Sequence, residues 1–249
     1  MNRLYGLIGK PLEHSWSKQY FDRKFRYESI VDADYRLFPL NRINEIFTLI
    51  KTFPQLCGLN VTIPYKTSVI PLLDGVDPVV SEVNAVNTIV IARASNQTLL
   101  HGYNTDVVGF ETSIKPLLHP RHKAAMILGT GGAANAAAWV FRKLQMDVLF
   151  VSRNPAGNQQ ISYEDVNQAL LQKFTVIVNA TPLGMFPETG SFPPLPYQFI
   201  NSRHLLYDMV YNPPETRFLA MGRRQKATIK NGLDMLQLQA EKAWEIWMF

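Results

Sequence analysis

The chain is nearly empty of cysteine: Cys57 is the only one in 249 residues, which excludes an internal disulfide framework and fits a reducing cytoplasm. Beside Gly58 it reads as a small strand residue, because no histidine lies near it in sequence to activate a thiol. Long apolar runs are missing too, and nothing approaches the roughly 20 residues that a membrane span requires. The opening Met1-Asn2-Arg3-Leu4-Tyr5-Gly6-Leu7-Ile8-Gly9 is broken too soon by glycine to be a signal peptide. Charge is sparse at 18% of residues, and the net +5 is dispersed. The two dense basic groups, Arg121-His122-Lys123 and Arg223-Arg224-Gln225-Lys226, lack interleaved aromatics on which bases would stack. No nucleic-acid surface is therefore expected, only a general attraction for small anions. There is no Gly- or Ser-rich linker, no internal repeat and no low-complexity tract, and no metal site is expected.

What is present is 47% hydrophobic residues, enough for one large core or two ordinary ones. Short β-branched runs alternate with longer amphipathic ones, which is the pattern of an α/β protein with parallel sheets. Strands are predicted at 4–8, 35–38, 55–61 and 87–92, with helices at 17–26, 41–51 and 65–73. The runs 88–93 and 98–103 should pair antiparallel across a turn at Ser95-Asn96-Gln97. From residue 105 the pattern resets, with a helix at 106–118 and strands at 125–128, 147–151, 175–179, 204–208 and 227–230. A last helix fills 232–249, where Leu236, Ala240, Ala243 and Trp247 form one apolar stripe. Two domains around a cleft are expected: 1–104, completed by helix 232–249, and 105–231.

The second half carries a dinucleotide signal. An apolar run, 124–128, leads into Gly129-Thr130-Gly131-Gly132-Ala133-Ala134, which is G-x-G-x-x-A. In a Rossmann turn Gly129 permits the tight bend and Gly131 lets the backbone approach a pyrophosphate. Gly132 and Ala133 open the helix whose N-terminus faces that anion, and Ala134 allows close helix–strand packing. The next strand ends in Ser152-Arg153, where an acidic residue would favour NAD. Arg153 instead suits a 2′-phosphate and points to NADP.

The first half carries Gly58-Leu59-Asn60-Val61-Thr62-Ile63-Pro64-Tyr65-Lys66. Pro64 should stop the strand, and a helix beginning near Tyr65 would place Lys66 on its first turn, at a strand's carboxyl end. Ligand sites of open α/β sheets lie at such ends.

With both features in place the chain resembles the shikimate dehydrogenase family from end to end. The matching motifs are Gly9-Lys10-Pro11-Leu12-Glu13-His14-Ser15-Trp16-Ser17, Asn60 to Lys66, Ala85-Val86-Asn87-Thr88 and Gly102 to Gly109. They continue with Gly129 to Ala133, Asn179 to Met185, Asp208-Met209-Val210-Tyr211-Asn212-Pro213, Asn231 to Leu236 and Gln239-Ala240. The resemblance implies an N-terminal αβα substrate domain with a mainly parallel sheet and a C-terminal Rossmann-like NADP-binding domain. It implies reversible, NADPH-dependent reduction of 3-dehydroshikimate to shikimate in aromatic amino-acid biosynthesis, by a cytoplasmic monomer or homodimer. By resemblance Lys66 and Asp106 are the catalytic pair, and Ser15 and Ser17 receive the substrate carboxylate. Asn60, Thr62, Asn87, Tyr211 and Gln239 would contact the rest of the substrate. Asn179, Thr181 and Gly232 would join the glycine turn, Ser152 and Arg153 at the cofactor.

Three positions depart from the family pattern. Asn84 replaces a usual glycine, the next best residue where φ must be positive. Pro182 replaces a serine after Asn179-Ala180-Thr181, removing a donor. After Arg153 the chain lacks the second basic residue found in many relatives, so the phosphate clamp should be weaker. Two alternatives stay open: a broader quinate/shikimate dehydrogenase, and a non-catalytic dinucleotide-binding regulatory protein.

Overall fold

The computed structural model describes residues 3–12, 15–94 and 97–249. The chain divides into two compact units, Met1–Thr105 with Gln239–Phe249, and Asp106–Leu238. The first unit contains β1 (Arg3–Gly9), α1 (Trp16–Tyr27), β2 (Ala33–Pro39), α2 (Glu45–Thr52), β3 (Leu56–Val61), β4 (Gly75–Val76), α3 (Pro78–Val83), β5 (Thr88–Ala94) and β6 (Gln97–Tyr103). Its sheet runs β2-β1-β3-β5-β6-β4. β1 is parallel to β2 and β3, β4 is parallel to β6, and β5 is antiparallel to both its neighbours. β1 shows why this sheet is covered on both faces. Leu4 and Ile8 enter a cluster with Ile46, Leu56 and Leu59, while the alternate Tyr5 and Leu7 join Phe21, Tyr35, Trp244 and Trp247.

The second unit contains α4 (Asp106–Ile114), β7 (Ala124–Leu128), α5 (Gly132–Lys143), β8 (Asp147–Val151), β9 (Gln160–Ile161), α6 (Gln168–Lys173), β10 (Val176–Asn179), β11 (Leu205–Asp208), α7 (Arg217–Arg224) and β12 (Thr228–Lys230). α8 (Leu233–Met248) begins in this unit and continues into the first. The strands lie in the order β12-β11-β10-β7-β8-β9, all parallel. The chain winds outward from β7 through β8 to β9, then restarts on the other side with β10. That reversal makes the carboxyl ends of β7 and β10 a topological switch point, where such sheets bind ligands. The α/β class with a Rossmann-like second sheet agrees with the sequence reading.

Several local expectations are corrected. No helix fills 65–73; turns lead to a single 3-10 turn at Ile70–Leu72. Val69 N–H does reach Tyr65 O (3.0 Å), but the carbonyl of Lys66 accepts from Val86 N–H (2.7 Å) and the Ile70 N–H goes to Thr67 O, so the i→i+4 ladder stops after one bond. Thr67, Val69 and Ile70 are β-branched, and Pro71 lacks a donor, so local propensity favours the same outcome. Lys66 therefore lies in a turn rather than on a helix. The helix expected at 41–51 begins only at Glu45, and that at 106–118 ends at Ile114, where a 3-10 turn holding Pro116 takes over. Ser95 and Asn96 of the expected turn lie outside the described residues, but the strands flanking them do pair antiparallel. α3, capped by the Asp77 side chain on Val79 N–H and opened by Pro78, was legible as Asp-Pro and not read.

α8 completes the first core. Ala240, Ala243 and Trp247 of the expected stripe are buried with Trp244, whereas Leu236 is half-buried. A Cβ on Gly58 would lie 2.2 Å from Trp247 Nε1, so this glycine in β3 is the seat for the indole. The ring donates to Ile89 O (3.0 Å) and stacks on Tyr5.

Candidate functional site

In the first unit, a buried polar set forms where β3 and β5 pair. Asn60 and Asn87 are only 5% and 3% exposed. Asn60 Oδ1 accepts from the Tyr35 hydroxyl (2.8 Å), and its Nδ2 donates to Asn87 O and Thr88 Oγ1 (both 3.3 Å). Asn87 Oδ1 accepts from Thr105 N–H (2.7 Å), and its Nδ2 donates to Thr105 Oγ1 (3.0 Å) and Gln239 Oε1 (3.4 Å). Burial pushes the Tyr35 phenol well above its ordinary value, and a hydrogen bond with Ser17 opposes the shift. Ser17, Asn60, Asn87 and Gln239, separated by up to 222 positions in sequence, thus belong to one linked set. Tyr35, Thr88 and Thr105 are members that the sequence reading did not place there. Tyr35 looks like any strand tyrosine, whereas Thr88, inside Ala85-Val86-Asn87-Thr88, and Thr105, inside Asn104-Thr105-Asp106, each lay in a motif that marked them.

The remaining first-unit residues sit on loops beyond the strands. Thr62 is half-buried past β3, and its Cγ2 occupies the place where a Cβ on Gly9 would be, 2.3 Å away. Thr62 N–H donates to Ile8 O (3.0 Å) and Lys10 N–H to Ile63 O (3.0 Å), tying the loops after β1 and β3. Ser15 is the N-cap residue of α1 but its side chain makes no capping bond. Glu13 and His14 of the same motif lie outside the described residues. Lys66 is half-buried in its turn. Asn84, at the end of α3, has φ +53°, the left-handed geometry foreseen for the position of the usual glycine.

In the second unit, Asp106 is the first residue of α4 and 5% exposed. Tyr211 is half-buried in the loop after β11. The glycine turn behaves as its motif requires. Gly129 has φ +104°, and a Cβ there would press on Thr181 Cγ2 (3.1 Å) and Ala180 O (3.3 Å). Gly131 is the N-cap of α5, no side chain caps the helix, and a Cβ on it would meet nothing within 4 Å. Open space against uncapped first-turn N–H groups, Gly132 and Ala133 among them, is a cradle for a pyrophosphate. Arg153 is exposed just past the end of β8, with its charge acting on the Tyr163 phenol. Asn154 N–H donates to Ser152 Oγ (3.2 Å). Residues present at the switch point therefore fit a dinucleotide bearing a phosphate on its ribose.

Two of the residues expected at the cofactor, Asn179 and Gly232, are packed into the protein. Asn179 is fully buried, with Nδ2 donating to Asp208 Oδ1 (2.9 Å) and Leu183 O (3.2 Å). Its Oδ1 accepts from Thr181 N–H (3.1 Å) and Thr181 Oγ1 (2.6 Å). The amide thus ties the Thr181 loop to β11. Gly232 is likewise buried, and a Cβ there would lie 2.2 Å from Met209 O, which makes it a close-packing glycine. Asp208, the first residue of its motif and given no role by it, is fully buried and pushed up to about 7 by burial. The bonds from Thr216, Val210 N–H and Asn179 oppose that shift.

An all-parallel sheet with a glycine turn at its switch point, joined to a unit holding a buried polar set, defines a nucleotide-dependent enzyme class. The model of the shikimate dehydrogenase substrate binding domain matches residues 7–89. The NADP(+) shikimate dehydrogenase of Clostridium beijerinckii is 35% identical over 252 residues, spanning 98% of this chain and 91% of its own. The crystal structure of shikimate dehydrogenase from Aquifex aeolicus matches with a TM-score of 0.86 at 31% identity, over 99% of this chain and 92% of that one. The Thermus thermophilus enzyme, solved in complex with NADP(H) and shikimate, gives 0.84 at 26% identity, over 98% and 93%. The chain belongs to the shikimate dehydrogenase family.

Proposed function

We propose that this chain catalyses the reversible NADPH-dependent reduction of 3-dehydroshikimate to shikimate. Similarity to the Clostridium beijerinckii enzyme across 98% of the chain carries this reading, and both titratable residues of the expected pair, Lys66 and Asp106, are present. NADPH, when bound, supplies the hydride. Reduction of a ring carbonyl also needs a proton for the developing alkoxide, and Lys66 is the group that donates it and takes it back in reverse. Asp106 is the second catalytic group and bonds a substrate hydroxyl. Ser15 and Ser17 receive the carboxylate. Thr62, Tyr211 and the Asn60–Asn87–Gln239 set bond the ring hydroxyls; such a set rejects analogues that leave its polar groups unpaired. Gly129, Gly131, Gly132, Ala133 and Thr181 line the pyrophosphate, Ser152 and Arg153 the 2′-phosphate.

The test is an absorbance assay with shikimate or quinate against NADP⁺ or NAD⁺. Shikimate with NADP⁺ should be the best pair. Equal efficiency with quinate would establish the broader enzyme, and no turnover with any pair would remove the reading. Lys66→Ala should lower turnover by about two to four orders of magnitude while shikimate binding stays measurable. Turnover within a few-fold of wild type would end the lysine's assignment, and an unchanged rate and pH profile in Asp106→Asn would end that of the aspartate.

A further inference from the structure

The carboxyl ends of β7, β10 and β11 present Leu128, Asn179 and Asp208 at one level, paired in parallel register. Asp208 Oδ1 accepts from Asn179 Nδ2 (2.9 Å) and Val210 N–H (3.0 Å), and Oδ2 from Thr216 Oγ1 (2.5 Å). Asn179 Oδ1 in turn holds both the N–H and the hydroxyl of Thr181, whose methyl lies against Gly129. We propose that Asp208 is a positioning residue for the cofactor site, fixing the orientation of the Asn179 amide and through it the place of Thr181 beneath the glycine turn. The inference rests on the NADP reading above.

The argument turns on direction. An asparagine amide has a donor end and an acceptor end of similar size, and Thr181 needs the acceptor end. A carboxylate can only accept, so Asp208 draws the donor end toward itself and leaves Oδ1 facing Thr181. The Leu183 carbonyl pulls the same way. Burying a carboxylate is costly, and burial pushes this one up to about 7. Apolar residues of similar volume would hold the strands together without that cost. What they would not supply is a single orientation of the amide at the switch point, next to the one turn that a pyrophosphate must approach.

The experiment measures NADP⁺ dissociation constants directly, by calorimetry on the full chain. Asp208→Ala should weaken NADP⁺ binding about tenfold or more, the equivalent of one lost buried charge-assisted bond. Asp208→Asn should restore most of it, because its carbonyl oxygen can still face Asn179 and Val210 while its amide donates to Thr216. The double variant Asp208→Ala/Asn179→Leu should bind no more weakly than the weaker single variant, since both act through one link. If Asp208→Ala does not fold, Asn179→Leu alone carries the test. It should weaken NADP⁺ binding by a similar factor and leave shikimate binding, measured separately, unchanged. Wild-type affinity in Asn179→Leu, or full additivity in the double variant, overturns the proposal. A wild-type chain that bound no NADP⁺ would overturn the cofactor reading, and the proposal with it.

Discussion

Gly58→Ala tests how the C-terminal helix is seated on the first sheet. The new Cβ would lie 2.2 Å from Trp247 Nε1, 2.5 Å from Cδ1 and 2.6 Å from Cε2. Carbon contacts settle near 3.5 Å, so the indole must move by roughly 1 Å. It has little room to do so. Tyr5 stacks on one side at 4.8 Å, Phe21 lies 5.6 Å away, and the indole N–H is held by Ile89 O at 3.0 Å. Overpacking costs about 1–3 kcal/mol, and stretching a buried N–H off its acceptor adds about 1–3 kcal/mol. The stiffer unfolded chain returns about 0.4–1 kcal/mol, leaving a loss of about 1–5.6 kcal/mol. Urea unfolding followed by circular dichroism and tryptophan fluorescence reads it, with the transition of the first unit compared separately because two units need not melt together. Gln239 lies two turns before Trp247 on the same helix, so the KM for shikimate should rise as well. Adding Trp247→Phe, which shortens the ring and removes its N–H, should recover part of the loss. A Gly58→Ala protein within about 0.5 kcal/mol of wild type would refute the seating argument.

Arg153→Asp should raise the KM for NADP⁺ at least about tenfold while sparing NAD⁺, because a carboxylate repels the 2′-phosphate and suits a ribose hydroxyl. Parallel kinetics with the two cofactors check this, and equal effects on both would show that the arginine does not read the phosphate. The second unit should also lose stability in mild acid. Burial lowers the pKa of His122 and of His204. Each Nδ1 faces a backbone N–H three residues earlier, from His119 and Asn201 (both 3.1 Å), and the Nε2 of each ring lies by a carbonyl oxygen. A proton on Nδ1 would set N–H against N–H. Below about 6.5 the unfolded chain takes up protons that the folded one refuses, so stability falls as pH drops toward the folded values. Asp208, raised to about 7, has the opposite slope between its unfolded value and there, which makes a comparison of variants the proper readout. His122→Gln/His204→Gln should lose less stability than wild type between pH 7 and 5. An identical loss would refute the two clamps.

The parts of the fold that were legible are those where local chemistry has one solution. β7, the Gly129 turn and α5 follow from an apolar run, a residue needing φ +104° and a helix-forming stretch, all within 20 residues. Asn84 was likewise readable, because few residues other than glycine and asparagine tolerate φ +53°. The helix misplaced over 65–73 failed for a tertiary reason: Val86, 20 positions on, takes the Lys66 carbonyl. Tyr35 and Asp208 escaped for a related one. Tyr35 acquires its polar partner only when β2 is laid beside β1, and Asp208 gains its meaning from Asn179 on the neighbouring strand. Hydrogen bonds across register leave no period in the chain.

On the function proposed above the two units would recognise by different means, and this decides which substitutions each tolerates. At the switch point the proposed recognising atoms are backbone N–H groups, and the side chains that matter are the ones left out. Gly129 and Gly232 are closed to enlargement by backbone 3.3 Å and 2.2 Å from a would-be Cβ. Gly131 has no such neighbour, so a side chain there would fold well and harm only an approaching pyrophosphate. Among these glycines it is therefore Gly131 that separates binding from folding. In the first unit the proposed recognising atoms are side-chain amides and hydroxyls already bonded to one another, with Gln239 Oε1 accepting from Asn87 Nδ2 and Thr105 Oγ1 at 3.4 Å each. A ligand hydroxyl bound there as proposed would compete with the long Gln239 bonds before the short Tyr35–Asn60 one. Gln239 is accordingly the member whose loss should fall on substrate binding with the least damage to the core.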